Sequence, residues 1–355
     1  MLDANQKIVQ PSARLQLRDL NAGYFVSRAM HVAAQLDIAT LLADDPKTCE
    51  ALAKITYTHA QTLYRLLRAL ASCGIFVEDS QRRFANTELS ELLRSDIPNS
   101  MRPMTLFFGD ETTLKSWQSL LHSVTTGEPA FEHVFGIHHF DYVSRHPDKA
   151  KIFDDAMVSI STMMNTAIAK AYDFSAFRTV VDVAGGYGST LCTILKAHPA
   201  LRGILFDMPH VIDGAREYIA EQGVADRCEA MAGDFFQSVP RDADAYFMKH
   251  IVHDWDDERC VKILRNCHAA MPSHGKLLVC ERIVPPGNTP SYSKLSDLVM
   301  LIMTSGGRER TEAEYRELFE AGGFKLTRLV PTESEHTVLE GVKVYILNMD
   351  RPRRR

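Results

Sequence analysis

Val180-Val181-Asp182-Val183-Ala184-Gly185-Gly186-Tyr187-Gly188-Ser189-Thr190-Leu191 is the stretch on which the reading of this chain turns. Val180, Val181 and Val183 form a short β-branched run that fits a buried strand. The run stops at a glycine loop, and Leu191, Ile194 and Leu195 then recur at the spacing of one helical face. Strand, glycine loop and helix make the opening βα unit of a nucleotide-binding α/β fold. A dinucleotide loop needs a third glycine where this chain has Leu191, and no phosphate loop ending in Gly-Lys-Ser/Thr is present. No basic residue lies in the loop to meet a phosphate. Acidic residues flank it instead, at Asp182 and at Asp207 in Leu205-Phe206-Asp207-Met208-Pro209-His210. Asp207 should close the second strand, where a carboxylate can accept bonds from both hydroxyls of a ribose. This pattern suits an adenosine carrier without phosphates, such as S-adenosylmethionine.

Downstream, strands are expected near 179–183, 203–206, 228–232, 245–248 and 276–280, with helices between, and two more near 325–330 and 342–348. Such alternation predicts a Rossmann-like, mostly parallel sheet that binds its ligand at the carboxyl ends of the strands. Those ends are rich in ligand-type groups. The third strand runs into Gly233-Asp234-Phe235-Phe236, and the fourth into Lys249-His250-Ile251-Val252-His253-Asp254-Trp255. The fifth runs into Glu281, and a charged turn, Gly306-Gly307-Arg308-Glu309-Arg310-Thr311, follows later. Asp234 and Phe235 could grip an adenine. His253 precedes a helix marked by Cys260, Ile263, Leu264, Cys267 and Met271, with Asp254 or Asp256 as its cap. A histidine there can act as a general base, oriented by Glu281 or Glu309. A packing or capping histidine fits the same position, and His250 is a competing base that spacing does not exclude. The acids after His253 read as helix-start residues rather than metal ligands, since no second histidine or cysteine sits at ligand spacing.

The front half has a different texture. Residues 15–42 read as one helix, apolar around much of its circumference, which must be buried against the same chain or a second copy. Residues 47–94 outline helix, turn, helix and a small hairpin, with Gly74 ending the second helix: a winged helix. Seven basic residues face five acidic ones there, a thin excess for phosphate contacts, so a structural or dimerising use outweighs DNA binding. Residues 101–170 read as helical and carry Phe107, Phe108, Trp117, Phe131, Phe135, Phe140, Phe153, Met157, Met163 and Met164. Most should be core, although methionine also suits the wall of a flat organic ligand's pocket. The boundaries expected are a helical winged-helix domain at 1–100, a helical linker and pocket region at 101–175, and a catalytic domain at 176–350.

A chain of 355 residues exceeds one ordinary core, and a net charge of −5 argues against a nucleic-acid surface as its main purpose. The seven cysteines form no C-x-x-C pair and read as small apolar residues of a reducing compartment. With no membrane-length apolar run and no signal-peptide pattern, the expected location is the cytoplasm. The basic tail Arg351-Pro352-Arg353-Arg354-Arg355 reads as a solvated end.

Taken together, these motifs resemble one family. The strings Val181 to Gly188, Phe206-Asp207-Met208-Pro209-His210-Val211, Gly233-Asp234-Phe235-Phe236, Met248-Lys249 through Trp255, and Gly306 to Thr311 are similar to those of the plant caffeic-acid-type small-molecule O-methyltransferases. Their microbial relatives and hydroxyindole O-methyltransferase share them. The likeness runs from about residue 15 to 348. It implies S-adenosylmethionine as methyl donor, S-adenosylhomocysteine as product, a homodimer with interlocking N-terminal helices, and metal-independent methylation of a hydroxyl on a small aromatic acceptor (phenolic, indolic or polyketide-like). By the resemblance the base falls on His253 rather than His250, with Glu281 and Glu309 as supporting acids. Asp182, Ala184, Gly185, Gly186, Asp207, Asp234, Phe235 and Lys249 would hold the donor, and Met157, Met164, Met300 and Met303 the acceptor. Ala184 departs from the glycine of many members, and its small methyl implies a slight shift of the methionine tail. N-methylation, a non-methylating reaction on the same fold and a ligand-sensing DNA binder are the alternatives. The retained His253, Glu281 and Glu309 speak against the second, and the near-neutral winged helix against the third.

Overall fold

A computed structural model of the chain describes residues 12–344. The chain divides into two compact units, Met1–Asp110 and Glu111–Arg355.

The first unit opens with the helix Ala13–Gln35. The expected helix to residue 42 is broken: Asp37 takes a left-handed φ of 53°, and a short helix, Ile38–Leu41, restarts beyond it. An aspartate tolerates this conformation better than most residues because its side chain bonds locally. Here the Asp37 carboxylate accepts from Thr40 Oγ1 and from Ser95 Oγ, both at 2.8 Å. The winged-helix outline is present. Strand β1 (Lys47–Thr48) leads into helix Cys49–Thr56, then comes helix Ala60–Ser72, then the hairpin β2 (Phe76–Glu78) and β3 (Arg83–Asn86). The three strands are ordered β1-β3-β2 and antiparallel. Gly74 stops the second helix with φ of +78°, and Ile75 N–H reaches back to Leu70 O at 3.0 Å. Leu52, Leu63, Leu67, Leu70, Phe76 and Phe84 fill the core. The first helix leaves Leu17, Leu20, Tyr24 and Phe25 between 61 and 78% exposed, a bare apolar face.

The second unit starts with short helices and the long helix Pro147–Ala171, whose proline stands in the first turn where no N–H is required. The sheet follows: β4 (Thr179–Val183), β5 (Arg202–Asp207), β6 (Cys228–Ala232), β7 (Ala245–Lys249), β8 (Lys276–Arg282), β9 (Phe324–Pro331) and β10 (His336–Lys343). Their spatial order is β6-β5-β4-β7-β8-β10-β9. The first five are parallel, and β10 runs antiparallel between β8 and β9. The last strand therefore lies about one turn earlier in the chain than expected at 342–348, and 345–348 are outside the described residues. Its pattern is interrupted by Glu340-Gly341, where the register with β9 shifts. Glu340 is buried and takes bonds from Tyr172, Lys276 and Thr327.

Alternation along the strands builds two cores. Val181, Val183, Tyr246, Met248, Leu277 and Val279 face helices Asp257–Ala270 and Glu312–Ala321. Val180, Leu205, Ala245, Phe247, Leu278 and Cys280 face helices Ser189–Ala197 and Pro209–Glu221. Each large side chain so buried contributes roughly 1.5–3 kcal/mol. Strand order reverses at β4, with β5 on one side and β7 on the other, and this is where an open α/β sheet forms its crevice. Among the described residues, no helix is long and apolar enough to cross a membrane.

Candidate active site

The loop after β4 is shaped by side-chain crowding as much as by backbone freedom. A Cβ on Gly185 would lie 2.5 Å from the Asp182 carboxylate, so only glycine fits there. Ala184 has φ of 56°, in the left-handed region. What its methyl group costs is thus backbone strain, of order 1–2 kcal/mol, rather than a steric displacement in the cavity, whose wall does not include it. Asp207, at the end of β5, accepts from Gly186 N–H at 2.8 Å and from Met208 N–H at 2.6 Å. Burial pushes its carboxyl up to about 6 against those two bonds. Burial likewise pushes Asp182 up to about 7, opposed by the charge of Lys249. Lys249 ends β7 and donates to Ser161 Oγ at 2.7 Å, and burial lowers its affinity for the proton.

These groups line a cavity of about 590 Å³ at the carboxyl ends of β4 to β7. Asp182, Gly185, Gly186, Asp207, Asp234, Phe235 and Lys249 are on its wall, as is Met157. Asp234 caps its own turn by accepting from Phe236 N–H at 2.8 Å. Phe235 and Phe236 both meet the Trp255 ring, and Phe140 and His138 stack on the same indole.

His253 sits in a 3-10 turn, Val252–Asp254, only 7% exposed, just behind the cavity wall that Ile251, Asp254 and Trp255 provide. Its Nδ1 lies 3.4 Å from Glu281 Oε2 and 3.4 Å from Glu309 Oε1, and its Nε2 lies 3.6 Å from Asp254 Oδ1. Burial alone would strip its proton, but the charges of Glu281, Asp254 and Glu309 outweigh burial and raise it to about 10. Burial pushes Asp254 up to about 7 in spite of the imidazole. Glu281 is fully buried within β8, one residue short of its end, and is also pushed up by burial, while accepting from Ile251 N–H at 3.0 Å. At Glu309 burial is overcome by the imidazole and by Ser296, which donates at 2.8 Å, so its carboxyl is held down. His250 also has a left-handed φ, 57°, and its ring lies parallel to that of His253 with centroids 5.0 Å apart. Its Nε2 is 2.6 Å from Nε2 of His336 on β10. With burial and Lys249 both disfavouring its charged form, His250 is held well below the usual range.

Residues 117–325 match the O-methyltransferase domain, and residues 19–96 match the O-methyltransferase dimerisation domain. The chain belongs to the O-methyltransferase family. It is 44% identical to the phenazine O-methyltransferase PhzM of Lysobacter antibioticus, over 96% of this chain and 99% of that protein. The solved structure of LaPhzM superposes with a TM-score of 0.90 at 44% identity, covering 94% of this chain and all of the other. An O-methyltransferase from neocarzinostatin biosynthesis, NcsB1, solved with S-adenosylmethionine and 2-hydroxy-5-methyl naphthoic acid, aligns at a TM-score of 0.76 and 32% identity, over 90% and 96% of the two chains.

In this O-methyltransferase the four methionines named from the sequence fall in different places. Met157 is on the cavity wall. Met164 is buried in the core beside Ile168 and Leu191, and Met303 packs with Ala130, Phe131 and Ile302. Met300, half-buried, lies on the same helix as Met303, Ser293–Met303. Helical spacing cannot separate wall from core, because both are apolar. Sequence reasoning passed over Asp154, Ser161, His210 and Tyr187, all on the wall, where Tyr187 donates to Asp154 at 3.2 Å. It also passed over Arg282, 3.6 Å from Glu309. A basic residue directly after Glu281 was the available signal.

Proposed function

We propose that this enzyme methylates a hydroxyl group on a small planar aromatic acceptor, with S-adenosylmethionine as donor and His253 as general base. The observation that carries the proposal is the His253 imidazole held between Glu281 and Glu309 on one side and Asp254, a wall residue, on the other.

The wall suits the donor. Six aspartates line the cavity (141, 154, 182, 207, 234 and 254) and Lys249 is the one lysine or arginine among the lining residues. Such a wall repels a pyrophosphate and favours a sulfonium cation. On this reading Asp207 takes a ribose, Asp234 and Phe235 an adenine, and Lys249 a carboxylate. When bound, S-adenosylmethionine supplies a methyl group made electrophilic by its positive sulfur. The remaining chemistry belongs to the protein. A phenol has an ordinary pKa near 10 and is a weak nucleophile while protonated. The carboxylates raise the proton affinity of His253 well above that of an ordinary histidine, which makes it a stronger base towards a phenol. At neutral pH the resting imidazole still holds its proton, and turnover should climb with pH as that proton is lost. The half-buried rings of Phe140, Phe153 and Trp255 offer flat contacts to the acceptor, and with Met157 beside them they exclude water.

Two copies pair through the bare face of helix Ala13–Gln35. The match to a dimerisation domain supports this, and a purely monomeric protein in sedimentation would refute it. The winged-helix unit then serves pairing rather than duplex binding. The main test is a screen with methyl-labelled S-adenosylmethionine over phenolic, indolic and N-heterocyclic acceptors, read by mass. Label on an acceptor oxygen, lost in His253→Ala with donor binding intact, is the expected result. Label on nitrogen alone, or a fully active His253→Ala, would overturn the assignment.

A further inference from the structure

Arg310 stands next to Glu309 in sequence, and its side chain is completely buried, although its guanidinium is permanently charged. Every one of its five N–H groups has an acceptor. Nη1 donates to Val252 O at 2.6 Å and to Arg308 O at 3.3 Å. Nη2 donates to Trp255 O at 2.9 Å and to Asp257 Oδ1 at 2.7 Å, and Nε donates to the same Asp257 oxygen at 3.0 Å. The carbonyls of Val252 and Trp255 lie on either side of His253-Asp254. Cys260 bonds the same two carbonyls, at 3.1 and 3.4 Å.

The backbone around this contact is equally tight. Trp255 bridges to Gly306, and Arg310 bridges to Ile283, two residues past Glu281. A Cβ on Gly307 would come within 2.5 Å of His253 O, so the two loops touch backbone to backbone. Three segments distant in sequence thus meet at Arg310, whose guanidinium holds the 252–257 turn and its own loop and whose backbone bridges to Ile283. One carries His253, one extends from Glu281, and one carries Glu309.

We propose that Arg310 is the positioning residue of the base. By gripping the carbonyls on both flanks of His253-Asp254, it fixes the turn so that Nδ1 stays between Glu281 and Glu309. Glu309 and Arg310 then divide one task between neighbours: the first meets the ring, and the second holds the backbone that carries it. A lysine cannot replace this arrangement. It offers three donors from a single point, against five spread over a plane.

The proposal rests on His253 being the base, but its test does not. In the ligand-free protein, the ring signals of His253 are followed by NMR against pH, for wild type, Arg310→Lys and Asp257→Asn. Arg310→Lys keeps the charge, so a change reports geometry. With the turn loosened from its two glutamates, the His253 titration should fall by about one unit or more towards the ordinary histidine value. Asp257→Asn, at an exposed partner of the guanidinium, should move it the same way by less, and it carries the test if Arg310→Lys does not fold. With a hydroxylated phenazine as probe, chosen for the 44% identity to a phenazine O-methyltransferase, kcat should drop by about 10²-fold in Arg310→Lys, the scale expected for a misplaced reacting group. KM for the donor should stay within about twofold, because the donor end of the cavity is untouched. A folded Arg310→Lys in which His253 titrates as in wild type would overturn the proposal, whatever its kcat. If His253→Ala remains active yet Arg310→Lys shifts the His253 titration, the positioning role stands and the base assignment falls.

Discussion

The two ends of the site are built in different ways. The donor end is local. Asp207 and Lys249 each end their own strand, Asp234 lies just beyond a third, and the glycine loop joins β4 to the helix it feeds. Each group is placed by one βα unit, and the sheet lines the units up. The base end is assembled from afar. His253, Glu281 and Glu309 come from a turn, a strand interior and a loop, and are locked by contacts between backbones. A local site should fail in parts, whereas an assembled site should fail as a whole.

The largest expected effect tests the assembled end. His253→Ala should lose about 10²–10⁴-fold in kcat, with donor affinity by calorimetry unchanged. Asp207→Ala should produce the mirror image. Charged hydrogen bonds of roughly 1.5–3 kcal/mol translate to donor binding weaker by about 10- to 100-fold, with kcat at saturation nearly retained. If kcat collapsed in that variant too, the two ends would not be separable and the comparison would break. Glu281→Gln is the finer probe. Removing that charge takes away the foremost influence raising His253, so its proton affinity should fall from about 10 back towards 6.5. The acid limb of kcat/KM should then move to lower pH, with the plateau lower by about 10-fold for a weaker base. A limb moving to higher pH would contradict the electrostatics described.

The contrast between the two ends also governs what could be read from the chain alone. The parallel sheet, the winged helix and the position of Asp182, Asp207, Asp234 and Lys249 on one cavity wall were legible because their signals are short-range: β-branched runs, glycines, and an acid at the end of a strand. The base end was legible only in its residue types. Nothing local in Arg310 announces five bonds, four of them to a turn more than fifty residues earlier, and His250 and His336 are too far apart in the chain to suggest a pair. Spacing alone left His250 and His253 tied, and in the structure only His253 faces the two glutamates. Asp37 broke a helix that periodicity would have continued, since its side chain finds partners outside that periodicity. The final strand was misplaced because Glu340 reads as a surface residue and Gly341 as a turn. The sheet instead buries the carboxylate among Tyr172, Lys276 and Thr327. The strain at Ala184 was hidden as well, since backbone angles leave no mark on composition.

The position of β10 sets a timetable for the molecule. It is made after β9 yet inserts between β9 and β8, so neither neighbour can complete its pairing until the segment from His336 to Lys343 has been synthesised. His336, the partner of His250 beside His253, arrives with it. A chain still emerging from the ribosome could fold its pairing module and the donor half of the sheet, but it would lack a finished floor under the imidazole. Methyl transfer thus becomes available only once the chain has been made through Lys343.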